Sequence, residues 1–182
     1  CEIIINNHLL SMSTDPKERL SVWENSLQGD TQVIIDILSR FFFETSLFEK
    51  STGPVSKHQM KSMMLDAQKE AYQDGLDYEI LHPYMWLNKG HYYSAGLNFY
   101  NFPYAFGLLF GKGLYAQYLK NPETFLKSYD DLLALTTQTT VEEVAQSMNI
   151  DVTKKTFWID SLEQVNKDIQ EVLKLFKVWL KL

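Results

Sequence analysis

An all-α fold is what this sequence predicts, on three observations. Apolar residues recur at i, i+3 and i+4 through most of the chain, the period of one helix face. Helix-start signatures recur as well: Ser56 with Gln59 and Thr140 with Glu143 have capping-box spacing. Glycine and proline are scarce, eight and five in 182 residues, and the prolines fall at apparent boundaries, which favours helices over strands and turns. A chain of 182 residues suffices for one domain with a core and is short for two. Residues 1–182 therefore read as a single helical segment, without internal repeat, low-complexity tract or linker.

Element by element, Glu2 to Met12 reads as a helix with Ile3, Ile4, Ile5, Leu9 and Leu10 apolar and no cap before it. The first residue is not Met, and a helix this apolar needs a partner surface, so the expectation is a piece of a longer polypeptide. Thr14 or Asp15 caps the next helix and Pro16 suits its first turn. That helix carries Leu20, Trp23 and Leu27 and is expected to stop near Gly29. Asp30 or Thr31 then starts a longer one, whose expected apolar face is Val33, Ile34, Ile37, Leu38, Phe41, Phe42, Leu47 and Phe48. Ser51 to Pro54 is a turn. The helix headed by Ser56 buries Met60, Met63, Met64, Ala67 and Ala71 and ends at Gly75. After an irregular aromatic stretch, Asn101-Phe-Pro103 opens a helix to about Leu119, and Asn121-Pro122 opens another with Phe125, Tyr129, Leu132 and Leu133. Thr140 heads a short helix to Met148. The last helix, from Thr156 to the end, places Trp158, Leu162, Val165, Ile169, Val172, Leu173 and Phe176 on one face.

Composition narrows the partners. Hydrophobic residues at 45% and charged ones at 22% describe a globular chain rather than a disordered one. A net charge of -6 argues against nucleic acid, because phosphate binding needs clustered Lys and Arg. No stretch reaches the roughly 18–20 uninterrupted apolar residues of a membrane helix; the richest, Phe99 to Leu119, is broken by Asn101, Pro103, Lys112 and Gln117. Cys1 is the one cysteine, so there is no disulfide framework or Cys-based zinc site, and a reducing cytoplasm fits.

No complete catalytic constellation is present. None of His8, His58, His82 and His91 belongs to a His-Glu-x-x-His pair, which would set two zinc ligands on one helix face. Gly111-Lys-Gly113 lacks the spacing of a phosphate loop, and there is no Gly-x-Ser-x-Gly elbow. What stands out is Trp86, His91, Tyr92, Tyr93, Phe99, Tyr100, Phe102 and Tyr104 close together. Tyr100 and Tyr104 lie four apart, so in a helical segment both hydroxyls point the same way. Phenols and an imidazole on one wall are neutral donors that hold a peptide backbone or the oxyanion of a tetrahedral intermediate. Aromatics of this density also serve as core with their polar tips on backbone or water, and composition by itself favours that role.

The segment from His91-Tyr-Tyr-Ser-Ala-Gly through Phe99-Tyr-Asn-Phe-Pro-Tyr-Ala-Phe-Gly107 to Leu108-Leu-Phe-Gly-Lys-Gly-Leu-Tyr115-Ala resembles the signature that follows the active site in zinc metallopeptidases of the oligoendopeptidase F group. The resemblance extends more loosely to Asn6-Asn7-His8-Leu9-Leu10, to Arg40-Phe-Phe-Phe-Glu44 with Leu47-Phe-Glu49, and to Asp151 with Phe157-Trp158, so it covers essentially the whole chain as the C-terminal third of a family member. It implies an enclosed helical peptidase fold with a channel that admits short, unstructured peptides. It also implies a Zn2+ held by the two His of His-Glu-x-x-His and a downstream Glu, with the motif Glu as general base. By position, His91, Tyr100 and Tyr104 match the family residues that bind substrate and its tetrahedral intermediate, and Tyr93 is implied as a further substrate contact.

Departures from the family pattern limit the transfer. The first two zinc ligands are absent, and Glu2 falls about two turns beyond the third, since Ile3 to Ile5 do not match the small residues that follow it. Glu2 is therefore expected behind the metal site or in a plain salt bridge. No metal ligand is assigned, and no zinc is expected on this chain without the missing N-terminal part of the same peptidase. Phe41 replaces the family's Gln and weakens any role for Arg40. His8 reads as a core or boundary residue, His58 as solvated, His82 as a loop cap or channel residue, and Met60, Met63 and Met64 as core. Lys174, Lys177 and Lys181 read as a solvated face that suits a helix C-terminus. Two other classes stay open: a non-catalytic helical module that binds peptides, and a structural domain whose aromatics are all core.

Overall fold

The computed structural model describes residues 2–50 and 53–179. Cys1, the Ser51 and Thr52 of the expected turn, and Lys181 with the last residues of the expected closing helix lie outside the described residues. Among the described residues every regular element is helical: α1 (Glu2–Met12), α2 (Pro16–Thr31), a π segment (Gln32–Asp36), α3 (Ile37–Lys50), α4 (Lys57–Tyr72), α5 (Phe102–Lys120), α6 (Pro122–Leu135), α7 (Val141–Ser147) and α8 (Lys155–Trp179), with short 3-10 turns at Gln73–Gly75, Tyr78–Ile80 and Gly90–Tyr93. No helix among them is long and apolar enough to cross a membrane. The chain forms two compact units, one of Cys1–Leu27 with Leu108–Leu182 and one of Gln28–Gly107.

In the first unit, the Asp15 carboxylate accepts the Lys17 N–H at 3.0 Å and starts α2 behind Pro16. The Arg19 guanidinium donates to the Leu10 carbonyl and so satisfies the open C-terminal end of α1. Leu10 is buried, while Ile4, Ile5 and Leu9 are exposed. Asn121 caps α6 by accepting the Thr124 N–H at 3.2 Å, with Pro122 in its first turn. Thr140 and Glu143 complete the capping box of α7. That helix ends as the sequence allows only with a left-handed residue: Asn149 has φ 57°, its N–H reaches the Gln146 carbonyl, and Ile150 N–H reaches Ala145 at 3.0 Å. Ala145, Ile150 and Phe157 then form a core with Phe110, Leu114, Met148, Val152 and Trp158. Gly113 is where α5 and α8 meet, since a Cβ there would lie 2.3 Å from the Phe157 ring and 2.6 Å from Ser161 Oγ.

The buried positions of α8 are Phe157 and Ser161, whereas Leu162, Ile169, Leu173 and Phe176 of the predicted face are exposed. The Phe157 line faces the glycine on α5, and Asp160 and Asp168 further along α8 pair with Lys120 and Lys112.

In the second unit, the predicted stop at Gly29 is absent, because α2 runs through it into the π segment and α3. Thr31 is itself helical at φ -61° and ψ -44° and makes no side-chain cap. A lone helical glycine costs only about 1 kcal/mol against alanine, and without a cap or proline it ends nothing. The π turn shifts the register of α3. Asp36, Ile37, Ser39, Phe43 and Glu44 are buried, while Leu38, Phe41 and Phe48, expected on the core face, are exposed. The Ser56–Gln59 capping box is formed, and α4 ends at Gln73 in a left-handed conformation of φ 48°. Phe43, Met64, Ala67 and Trp86 form the core, with Met60, Met63, Tyr84, Met85 and Tyr92 around it.

Candidate functional site

The aromatic segment lies in the second unit, and buried polar side chains hold it there. Gln68 on α4, fully enclosed, donates to the His82 carbonyl at 2.9 Å and accepts the His82 N–H at 3.1 Å. His82 in turn accepts the Tyr84 N–H through Nδ1 at 3.2 Å, so it acts as a loop cap. Further along, Glu44 on α3, only 4% exposed, accepts the Phe99 N–H at 2.7 Å across 55 residues of sequence. Phe99 needs that anchor. It sits at φ 53°, a conformation rare for a bulky side chain, and its ring is wedged against Phe41 and Phe48 at centroid distances of 5.5 and 5.6 Å. Desolvation pushes the Glu44 carboxyl above its ordinary range, and the Phe99 N–H offsets part of that.

From this anchor a ladder of rings runs outward. Phe43, wholly buried, meets Tyr92 edge-on at 5.3 Å. Tyr92 meets His91 at 4.2 Å, His91 meets Tyr100 at 5.5 Å, and Tyr100 meets Tyr104 at 5.7 Å. The predicted convergence is present: the Tyr100 and Tyr104 hydroxyls are hydrogen-bonded at 2.8 Å. Both residues are open to solvent, at 43% and 51% exposure. That hydrogen bond is the main cause that raises the Tyr104 pKa, so its phenol stays protonated. His91 is half-buried and bonded through Nε2 to the Asn101 amide nitrogen at 2.8 Å. Burial holds the His91 pKa below the ordinary histidine value, and Arg40 and Lys89 add to this.

Tyr93 stands apart from this group. Its hydroxyl reaches the Leu87 carbonyl at 3.4 Å, in the preceding turn. His58 and His8 are both exposed, which corrects the expected core or boundary placement of His8. Glu2 is exposed in the first turn of α1. Arg40 is paired with Asp36 one turn back on the same helix, and the Tyr92 hydroxyl is buried with its pKa pushed up, first by desolvation and then by Glu44. Three residues that position the wall were not singled out from sequence for that purpose: Glu44, Gln68 and Asn101. The available signal was a carboxylate placed directly after three phenylalanines, Phe41 to Phe43, where only a buried partner makes it tolerable.

Among the described residues, no three His, Cys, Asp or Glu side chains converge as a metal site. What the wall offers is an exposed hydroxyl pair with one outward O–H, and the half-buried His91 ring beside it. No family model, curated protein or solved structure matches this chain.

Proposed function

We propose that this chain supplies the peptide-holding wall of a zinc-dependent metalloendopeptidase for short peptides, with His91, Tyr100 and Tyr104 as its donors. The observation that carries the reading is the exposed Tyr100–Tyr104 hydroxyl pair at 2.8 Å with the His91 ring beside it. Both residues are open to solvent, which leaves the pair accessible as a holding role requires. A phenol held protonated by its neighbour donates to a carbonyl oxygen, and more strongly as that oxygen takes up negative charge in a tetrahedral intermediate. In the 2.8 Å pair one hydroxyl gives its proton to the other, so the pair presents a single outward O–H to such an oxygen. His91, kept neutral by burial and by two nearby cations, adds a donor without adding charge. Phe99 and Asn101 flank Tyr100, and Glu44 fixes the turn that aims it.

The family resemblance assigns the zinc, and the water it activates, to another part of the parent peptidase, so no step here runs through a metal. The same reading places the protein in the cytoplasm, with short unstructured peptides as substrates. The test is made on the polypeptide isolated from its own source: intact mass, zinc content and hydrolysis of a quenched fluorogenic octapeptide. The expected result is a mass well above 21.2 kDa, about one zinc per chain, and cleavage. A mass of 21.2 kDa without zinc and without turnover overturns the proposal.

A further inference from the structure

Asn101 stands at the N-terminus of α5, next to Tyr100, and is only 8% exposed. Its amide nitrogen lies 2.8 Å from His91 Nε2. An amide NH2 group only donates, so the ring nitrogen it meets must accept. Its backbone carbonyl accepts the Tyr104 N–H at 3.1 Å, and Nδ2 is the side-chain atom that faces the imidazole. The placement of Asn101 is itself over-determined. Two residues earlier the Phe99 N–H is held by buried Glu44, and the Phe99 ring is packed by Phe41 and Phe48.

From this geometry we infer that Asn101 is a positioning residue that fixes neutral His91 in the Nδ1–H tautomer, so that Nδ1–H is the donor His91 presents. A free imidazole has no such constraint. The charged groups around His91 act in the same direction: Arg40 from α3 and Lys89 from the preceding turn disfavour the imidazolium, and the rings of Tyr92 and Tyr100 lie beside it. Protonation would place an Nε2–H against the Asn101 NH2 group, two donors face to face, and the bond would be lost. The use of Nδ1–H toward a peptide carbonyl rests on the peptide-holding reading above; the tautomer itself does not.

The test is long-range 15N–1H NMR of the chain carrying 15N-histidine at pH 7.5, with His91 assigned by the His91→Gln variant. The expected pattern is a pyrrole-type nitrogen at Nδ1 and a pyridine-type nitrogen at Nε2. An Nε2–H pattern in the unaltered chain overturns the inference, whether or not any variant folds. Asn101→Asp offers an acceptor in place of the donor, so the ring should invert to Nε2–H and its pKa should rise. An unchanged pattern in a folded Asn101→Asp chain also overturns it. Because the readout needs neither zinc nor turnover, its failure is distinct from a failure of the peptidase reading, which the mass and zinc measurement decides.

Discussion

Gly113 in the first unit and Glu44 in the second each secure a distant piece of chain, by opposite means. At Gly113 the missing side chain lets the Phe157 ring and Ser161 come against the α5 backbone, and the contact is held by shape. At Glu44 a buried carboxylate takes a single N–H from a strained residue, and the contact is held by one charge-assisted hydrogen bond. A shape contact resists any added atom and is indifferent to pH. A polar anchor tolerates isosteric change but responds to protonation. The donors proposed for function hang from the second kind, so their geometry is tunable in a way the α5–α8 contact is not.

The largest effect expected is on the wall that the polar anchors support. In the active parent polypeptide, Tyr104→Phe should lower kcat by about 100-fold with little change in KM, the loss typical of one oxyanion donor. His91→Ala should act in the same sense. Steady-state kinetics on a short peptide decide it: normal turnover in both variants removes the wall from the chemistry.

On the shape side, Gly113→Val drives atoms into the space already held by Phe157 and Ser161. Overpacking of this kind costs about 3 kcal/mol, which outweighs the gain of replacing a helical glycine. Urea unfolding measures it, and pairing the change with Phe157→Leu should restore part of the loss. A neutral Gly113→Val would mean that the two helices do not touch there.

Gln68→Leu tests an anchor with two bonds. It leaves the His82 N–H and carbonyl without their partner, at a cost of about 2 kcal/mol. The loss should be accompanied by a change in fluorescence of Trp86, which packs in the same core. Equal stability with unchanged fluorescence would show that the loop does not depend on this side chain.

How far the sequence reached follows the same division. Local chemistry was legible: the boxes at Ser56 and Thr140 and the Asn121-Pro122 start are formed as read, because each depends on three or four neighbouring residues. The Tyr100–Tyr104 pairing was legible from the four-residue spacing, although Tyr100 lies in the turn just before α5 rather than on it. The face of α3 was not. Counting apolar residues selected Leu38, Phe41 and Phe48, all exposed, because the buried line contains Asp36, Ser39 and Glu44 and the π turn displaces the register. A polar residue earns a buried place only through a partner far along the chain, and the partner of Glu44 is 55 residues away. On α8 the periodicity gave an apolar face without saying what covers it, and Leu162, Ile169, Leu173 and Phe176 on that face are exposed.

The smallest effect, and the one that separates the two kinds of contact most cleanly, is in the pH dependence of stability. His91 has a folded pKa below its ordinary value of 6.5, so the native state binds fewer protons than the unfolded chain in the window just below 6.5. Its contribution is therefore fully present above 6.5 and is lost as pH falls through the lowered folded value. Glu44 runs the other way. Its folded pKa is raised above 4.5, so its contribution is present below 4.5 and is lost as pH rises through the raised value. His91→Gln should flatten the slope below 6.5, and Glu44→Gln, which keeps a carbonyl oxygen for the Phe99 N–H, should flatten the opposing slope above 4.5 without unfolding the turn. Gly113→Ala should shift the whole stability curve and leave both slopes as they were. Urea midpoints from pH 4 to 8 on the three variants distinguish these outcomes, and a slope unchanged by Glu44→Gln would mean that this carboxylate is solvated rather than enclosed.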